Sequence, residues 1–147
     1  MKKTRLWLQL AALMTFATLT YSAQQEKFPD ITGTWVGETD FPATDEKDPV
    51  TLVLKKAGDT FTGTIAVGNG KETKLEDVKI EDEDTFSFVF SLSLGGETNL
   101  VKAKLDVISD RVIGNKLLGS WTTDDGSYGA LDLQPKKQRL TSSLTGP

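Results

Sequence analysis

Eight runs of alternating apolar and polar residues occupy residues 31–134, separated by turns rich in Gly and Asp. The side chains of a β-strand point alternately to the two faces of its sheet, so each run predicts a strand with one buried and one solvated face. No segment of this region has the 3.6-residue apolar period of a helix. The pattern therefore restricts this part of the chain to an all-β fold.

Turn chemistry places the ends of these strands. Gly68-Asn69-Gly70 and Asp124-Asp125-Gly126 are hairpin signals, because Asn, Asp and Gly tolerate the positive φ angles of tight turns. The fourth run is the least regular, since Leu75 falls on the face opposite Ile80, which predicts a bulge near Glu76. The predicted strands are residues 31–41, 50–56, 60–67, 73–81, 85–94, 101–107, 112–123 and 128–134.

Short consecutive hairpins favour an eight-stranded antiparallel up-and-down barrel. The alternative, a sandwich of two sheets, needs long crossover connections, and the only long connection between the predicted strands is residues 42–49. An eight-stranded barrel is about the smallest whose interior can either be filled by side chains or hold one small ligand. The fold class leaves both possibilities open.

The N-terminal residues have the composition of an export signal. Lys2, Lys3 and Arg5 precede an apolar stretch over residues 6–19, and small residues follow near Ala23. A retained membrane anchor needs about 20 apolar residues and is the less favoured interpretation. We therefore expect a signal peptide (residues 1–23), a barrel domain (30–134) and a flexible tail (135–147), with export to the periplasm or the medium.

Charge and composition exclude several functions. Loss of the signal removes three of 17 positive charges and none of 21 negative ones, which leaves a net charge of −7 that disfavours nucleic acid as a partner. The chain contains neither His nor Cys, so it lacks the usual general base, thiol nucleophile and zinc ligands. We expect no metal, no cofactor and no enzymatic activity. Glu38 and Asp40 share a face of the first strand but are best interpreted as solvated.

Three short motifs resemble those of the calycin superfamily, which includes lipocalins, fatty-acid-binding proteins and avidin-like proteins. They are Gly33-Thr34-Trp35 in the first strand, Phe61-Thr62-Gly63-Thr64 in the third and Gly119-Ser120-Trp121 in the seventh. The resemblance implies a ligand-binding barrel in which Trp35 packs its indole across the closed end. Independently of the resemblance, Trp35 and Trp121 are also interpretable as core residues that touch no ligand.

The leading functional hypothesis is a secreted calycin-like protein that binds a small apolar or amphipathic ligand inside the barrel. Because bulky rings crowd one interior, we expect at most a shallow pocket at its open end. The alternative is a filled barrel whose outer surface binds a protein partner, through outward apolar residues Val53, Val89, Val112 and Leu118. The expected ligand-binding residues are Trp35, Ile65, Phe86, Phe88, Phe90, Leu92, Leu105 and Trp121.

Overall fold

A computed structural model describes residues 27–40, 47–94, 96–112 and 114–137 of the chain. The predicted signal peptide lies outside these residues, as does the predicted tail beyond Lys137. Within the described ranges, no helix is long and apolar enough to cross a membrane.

The described residues form nine β-strands in one antiparallel sheet. They are β1 Gly33–Asp40, β2 Lys47–Ala57, β3 Thr60–Val67, β4 Thr73–Lys74, β5 Glu76–Ile80, β6 Thr85–Leu94, β7 Glu97–Asp110, β8 Gly114–Thr123 and β9 Tyr128–Pro135. The strand order is β4-β3-β2-β1-β9-β8-β7-β6-β5. The two outermost strands of this order follow each other directly along the chain, so the sheet rolls into a nearly closed barrel, as the sequence predicts.

The prediction of eight strands is wrong by one, because the fourth run divides into β4 and β5. The first of these pairs with β3 and the second with β6. The pairing of β5 shifts register between Glu76 and Lys79, and Asp77 has a φ of 49°. The irregularity predicted near Glu76 is therefore present, but it bends the chain enough to break the strand. The bend brings Leu75 into the core on the same side as Val78 and Ile80.

The inward faces of the strands form one apolar core. Alternating positions on β2, β3, β6 and β7 are buried as the period of two predicts. The chain contains no cysteine, so no disulfide contributes and burial of this core is the main stabilising force. The largest fully buried side chains include Phe86, Phe88, Ile31, Leu52, Leu54, Ile65, Leu105, Leu117 and Leu133.

The barrel has two ends, and we call the one at which β1 begins the lower end. Gly33 pairs with Leu54, so the turn between β2 and β3 lies at this end. The preceding segment, residues 27–32, also packs there. Trp35 Nε1 donates a hydrogen bond to the carbonyl oxygen of Ile31 at 2.9 Å, and Ile31 is completely buried. On the other side of β1, β9 extends to Pro135, and the backbone N–H of Lys136 donates to Thr34 O at 2.8 Å.

Candidate binding cleft

The eight residues that the sequence predicts to bind ligand all lie in the packed core. None of them is more than 7% exposed. The structure brings the phenylalanines together: the ring centroids of Phe86 and Phe88 are 5.9 Å apart, and those of Phe88 and Phe90 are 6.1 Å apart. A ligand that touches these residues must therefore enter a barrel interior in which their side chains already contact one another.

The two motif tryptophans, Trp35 and Trp121, are held by buried hydrogen bonds at different levels of the barrel. Trp35 lies toward the lower end and donates to Ile31 as described. Trp121 pairs with Gly129 on β9, toward the upper end, and its Nε1 donates to Thr39 Oγ1 at 2.6 Å. The polar atom of each indole therefore has an acceptor inside the protein.

An open cleft of about 760 Å³ lies at the lower end of the barrel. Three parts of the chain that are distant in sequence form its walls: the segment before β1, the turn between β2 and β3, and the residues from the end of β5 into the following turn. None of the eight predicted residues lines it. Its residues are Lys27, Phe28, Asp30, Lys56, Gly58, Asp59, Thr60, Phe61, Ile80, Glu81, Asp82 and Glu83.

The floor of the cleft is apolar and aromatic. The ring of Phe28 lies 5.8 Å from that of Phe61, with an interplanar angle of 60°, and 6.1 Å from that of Phe86 in an edge-to-face arrangement. Phe61 belongs to the buried core, whereas Phe28 and Ile80 are only partly buried and pack against it. The floor is thus the lower surface of the core itself, and Phe28 and Ile80 keep part of their apolar surface exposed.

The rim of the cleft is charged. Glu81 forms an ion pair with Lys104, whose Nζ lies 2.8 Å from its carboxylate. A hydrogen bond from Lys104, and to a smaller extent one from Ser87, holds the pKa of Glu81 below its usual value. Hydrogen bonds from the hydroxyl and backbone N–H of Thr32 likewise lower the pKa of Asp30. Both carboxylates are therefore ionised at neutral pH and in mild acid.

Sequence reasoning missed this cleft for an identifiable reason. The sequence pattern predicts both turns, and Phe28 lies before the first predicted strand. The spacing of apolar residues predicts individual strands. It does not predict which turns lie next to one another once the sheet has closed. The one available signal was the position of Phe28, a large apolar residue directly before the barrel.

The other candidate residues are dispersed. Glu38 and Asp40 are exposed. Val53, Val89 and Leu118 lie on the outward faces of β2, β6 and β8, and Val112, which is 92% exposed, lies in the turn after β7. The three strands are not neighbours in the sheet, since β1 and β9 separate β2 from β8, and β7 separates β8 from β6. Binding of a protein partner stays a prediction. In the part of the chain that the structure describes, no three His, Cys, Asp or Glu side chains group as a metal site.

Comparisons with known proteins show the fold alone. No protein-family model matches the chain, and no curated protein matches it. A solved structure described as a redesigned β-barrel is similar, with a TM-score of 0.53 and 18% sequence identity over 72% of this chain and 91% of that one. This likeness supports the barrel.

Proposed function

We propose that the protein binds a small amphipathic molecule in the cleft at the lower end of the barrel. The observation that carries the proposal is the cleft itself, which combines the partly exposed apolar surface of Phe28 and Ile80 with a charged rim. Its volume of about 760 Å³ is within the range of roughly 300–1,000 Å³ that is typical of small-molecule sites. Residues 1–23 have the composition of an export signal, so we place this binding outside the cytoplasm.

The cleft is a better site than the barrel interior. In a calycin-like mode, the ligand would lie among Phe86, Phe88 and Phe90, but these side chains are buried against one another. Opening a cavity among them costs both apolar burial and close packing. The cleft needs no such rearrangement, because its apolar floor is already open on one side.

Binding of the uncharged fluorophore diphenylhexatriene, which fluoresces when it leaves water, tests the proposal. Phe28→Ala and Ile80→Ala remove parts of the floor, and each is expected to weaken binding roughly tenfold, the equivalent of about 1.4 kcal/mol. Val53→Ala is the matched control, because Val53 is also partly buried but lies on the outer face of β2. It should leave the affinity unchanged.

Phe88→Leu separates the two locations of the ligand. Phe88 is buried in the interior and does not line the cleft. Binding that responds to Phe88→Leu but not to Phe28→Ala would place the ligand inside the barrel and contradict the cleft. Absence of any fluorescence increase with the wild-type protein, across this probe and other apolar or amphipathic ones, would refute the proposed function altogether.

A further inference from the structure

The rim of the cleft has an excess of negative charge. Five carboxylates and two lysines line it. Lys104, which is not a lining residue, brings the number of cations to three through its ion pair with Glu81. The charge of Lys79 also acts on Glu81, but Lys79 is itself ion-paired with Asp77. The local balance therefore stays negative when these lysines and their partners are counted.

The excess lies on one side of the cleft. Glu81 is engaged by Lys104, and the positive charges of Lys56 and Lys27 act on Asp30. The charge of Lys104 also acts on Asp82. Within the described ranges, however, Asp59, Asp82 and Glu83 form no ion pair with a lysine or arginine. Asp59 is in the turn after β2, and the other two are in the turn after β5. Three exposed carboxylates on two neighbouring turns thus remain to interact with a bound molecule.

The floor is compatible with a cation beside these carboxylates. Aromatic rings attract ammonium groups through the negative potential of their faces, and Phe28 is the ring of the lining that keeps part of its surface exposed. An anionic head group in the same position would meet the unpaired carboxylates at short range. The apolar cleft defines where a ligand lies, and the charges of its rim define which head group is favoured.

We infer that the preferred ligand is a cationic amphipath, an ammonium group attached to an apolar body. The inference rests on the proposed function and specifies its ligand class. The apolar body lies against Phe28 and Ile80, and the ammonium group lies toward Asp59, Asp82 and Glu83. Coulomb attraction at this exposed rim is modest and is screened by salt, so the selectivity is expected to be largest at low ionic strength.

Three forms of one fluorophore test the inference. They are diphenylhexatriene, its trimethylammonium derivative and its propionic acid derivative, which differ mainly in the charge of the head group. At low salt and neutral pH, the cationic form should bind roughly tenfold more tightly than the anionic form, with the neutral form between them. Equal affinities, or tighter binding of the anionic form, would overturn the inference and leave the proposed function standing. Failure of all three to bind would overturn both.

A charge-neutralised variant identifies the carboxylates responsible. The triple variant Asp59→Asn, Asp82→Asn, Glu83→Gln should lose most of the preference for the cationic probe and keep its affinity for the neutral one. The control triple variant Glu38→Gln, Asp40→Asn, Glu97→Gln makes the same change in net charge at exposed positions outside the cleft. It should keep the preference. An equal loss in both triple variants would show a general charge effect and overturn the assignment to the cleft.

Discussion

Thr39 places a hydroxyl group inside a largely apolar barrel. The side chain is 2% exposed. Its Oγ1 accepts a hydrogen bond from Trp121 Nε1 at 2.6 Å and donates one to the carbonyl oxygen of Ala130 at 2.7 Å. One small side chain on β1 therefore joins β8 and β9 at the upper end. The contribution of a buried hydroxyl group to stability depends on its partners. If a partner is removed, the hydroxyl stays out of water without its hydrogen bond, and the free energy of unfolding falls.

The Thr39–Trp121 hydrogen bond is expected to contribute measurably to stability. Thr39→Val keeps the shape of the side chain and removes the acceptor, so the free energy of unfolding should fall by about 1–3 kcal/mol. A double-mutant cycle with Trp121→Phe, followed by urea denaturation, isolates the pairwise interaction from changes in packing. We expect a coupling energy of about 1 kcal/mol. A coupling energy indistinguishable from zero would contradict this role of Thr39.

For single residues, the sequence predicts which face of the sheet a side chain points to, but not which residue it bonds. Thr39 has the same parity along the first strand as Trp35 and Gly37, so the period of two already predicts that it points inward. Its partner was not predictable, because Trp121 is 82 residues away and reaches it only when β1, β9 and β8 lie side by side. The alternation is a local property, whereas a hydrogen bond across three strands depends on closure of the barrel.

At the level of elements, three inward glycines permit close approach between strands. Gly37, Gly63 and Gly119 lie on β1, β3 and β8, and at each one an added Cβ would be 1.9 Å from a carbonyl oxygen of the neighbouring strand. Only hydrogen fits in that space, and such positions allow the sheet to bend tightly. Gly63 and Gly119 belong to the motifs that resemble calycins. Barrel curvature alone therefore accounts for part of that resemblance.

Substitution of one of these glycines should be severely destabilising. In Gly119→Ala, the new methyl group would overlap Lys104 O, a backbone atom that cannot move without disturbing the pairing of β7 with β8. We expect a loss of at least about 3 kcal/mol in urea denaturation, or failure to fold as judged by circular dichroism. Ser120→Ala, at the exposed neighbouring residue, should change stability by less than about 0.5 kcal/mol. Similar stabilities for the two variants would show that the strands separate easily at this point.

The sequence placed the strands but not all of their ends. The pattern predicts a sixth strand over residues 101–107, whereas β7 spans Glu97–Asp110, and the second strand begins at Lys47 instead of Val50. These extensions are hairpin arms made largely of polar residues. Backbone pairing stabilises them without any apolar period. Backbone pairing also explains why the fourth run divides. Its first part pairs with β3 and its second with β6, and the alternation of apolar residues does not predict this change of partner.

At the level of the whole molecule, the barrel is weakest along one line. β3 pairs with β4 only at Thr64 and Ile65. Below these residues β3 faces β5, and two hydrogen bonds are described between β3 and the chain from Leu75 onward: from Leu75 N to Gly63 O at 2.9 Å, and from Thr60 Oγ1 to Val78 O at 3.3 Å. We call this line the seam. It ends at the cleft, between Phe61 and Ile80, so the candidate site lies where closure of the sheet is least complete.

Hydrogen exchange should detect the seam directly. Gly63 O accepts from Leu75, and residues two apart in a strand direct their backbone groups to the same side, so the N–H of Phe61 also points toward the seam. Ala103 is the reference, because β7 is paired on both sides. The two side chains are almost equally buried, with exposed fractions of 4% for Phe61 and 3% for Ala103.

The Phe61 amide should therefore exchange about 100-fold faster than the Ala103 amide, because local opening of the seam needs less free energy than disruption of a doubly paired strand. Binding of the trimethylammonium probe in the cleft should slow exchange at Phe61 and leave Ala103 unchanged, since a ligand that contacts the floor stabilises the closed form. Equal exchange rates in the free protein would show that the seam is as stable as the rest of the barrel. Slowing at both amides would indicate that the probe stabilises the whole fold without acting on the seam.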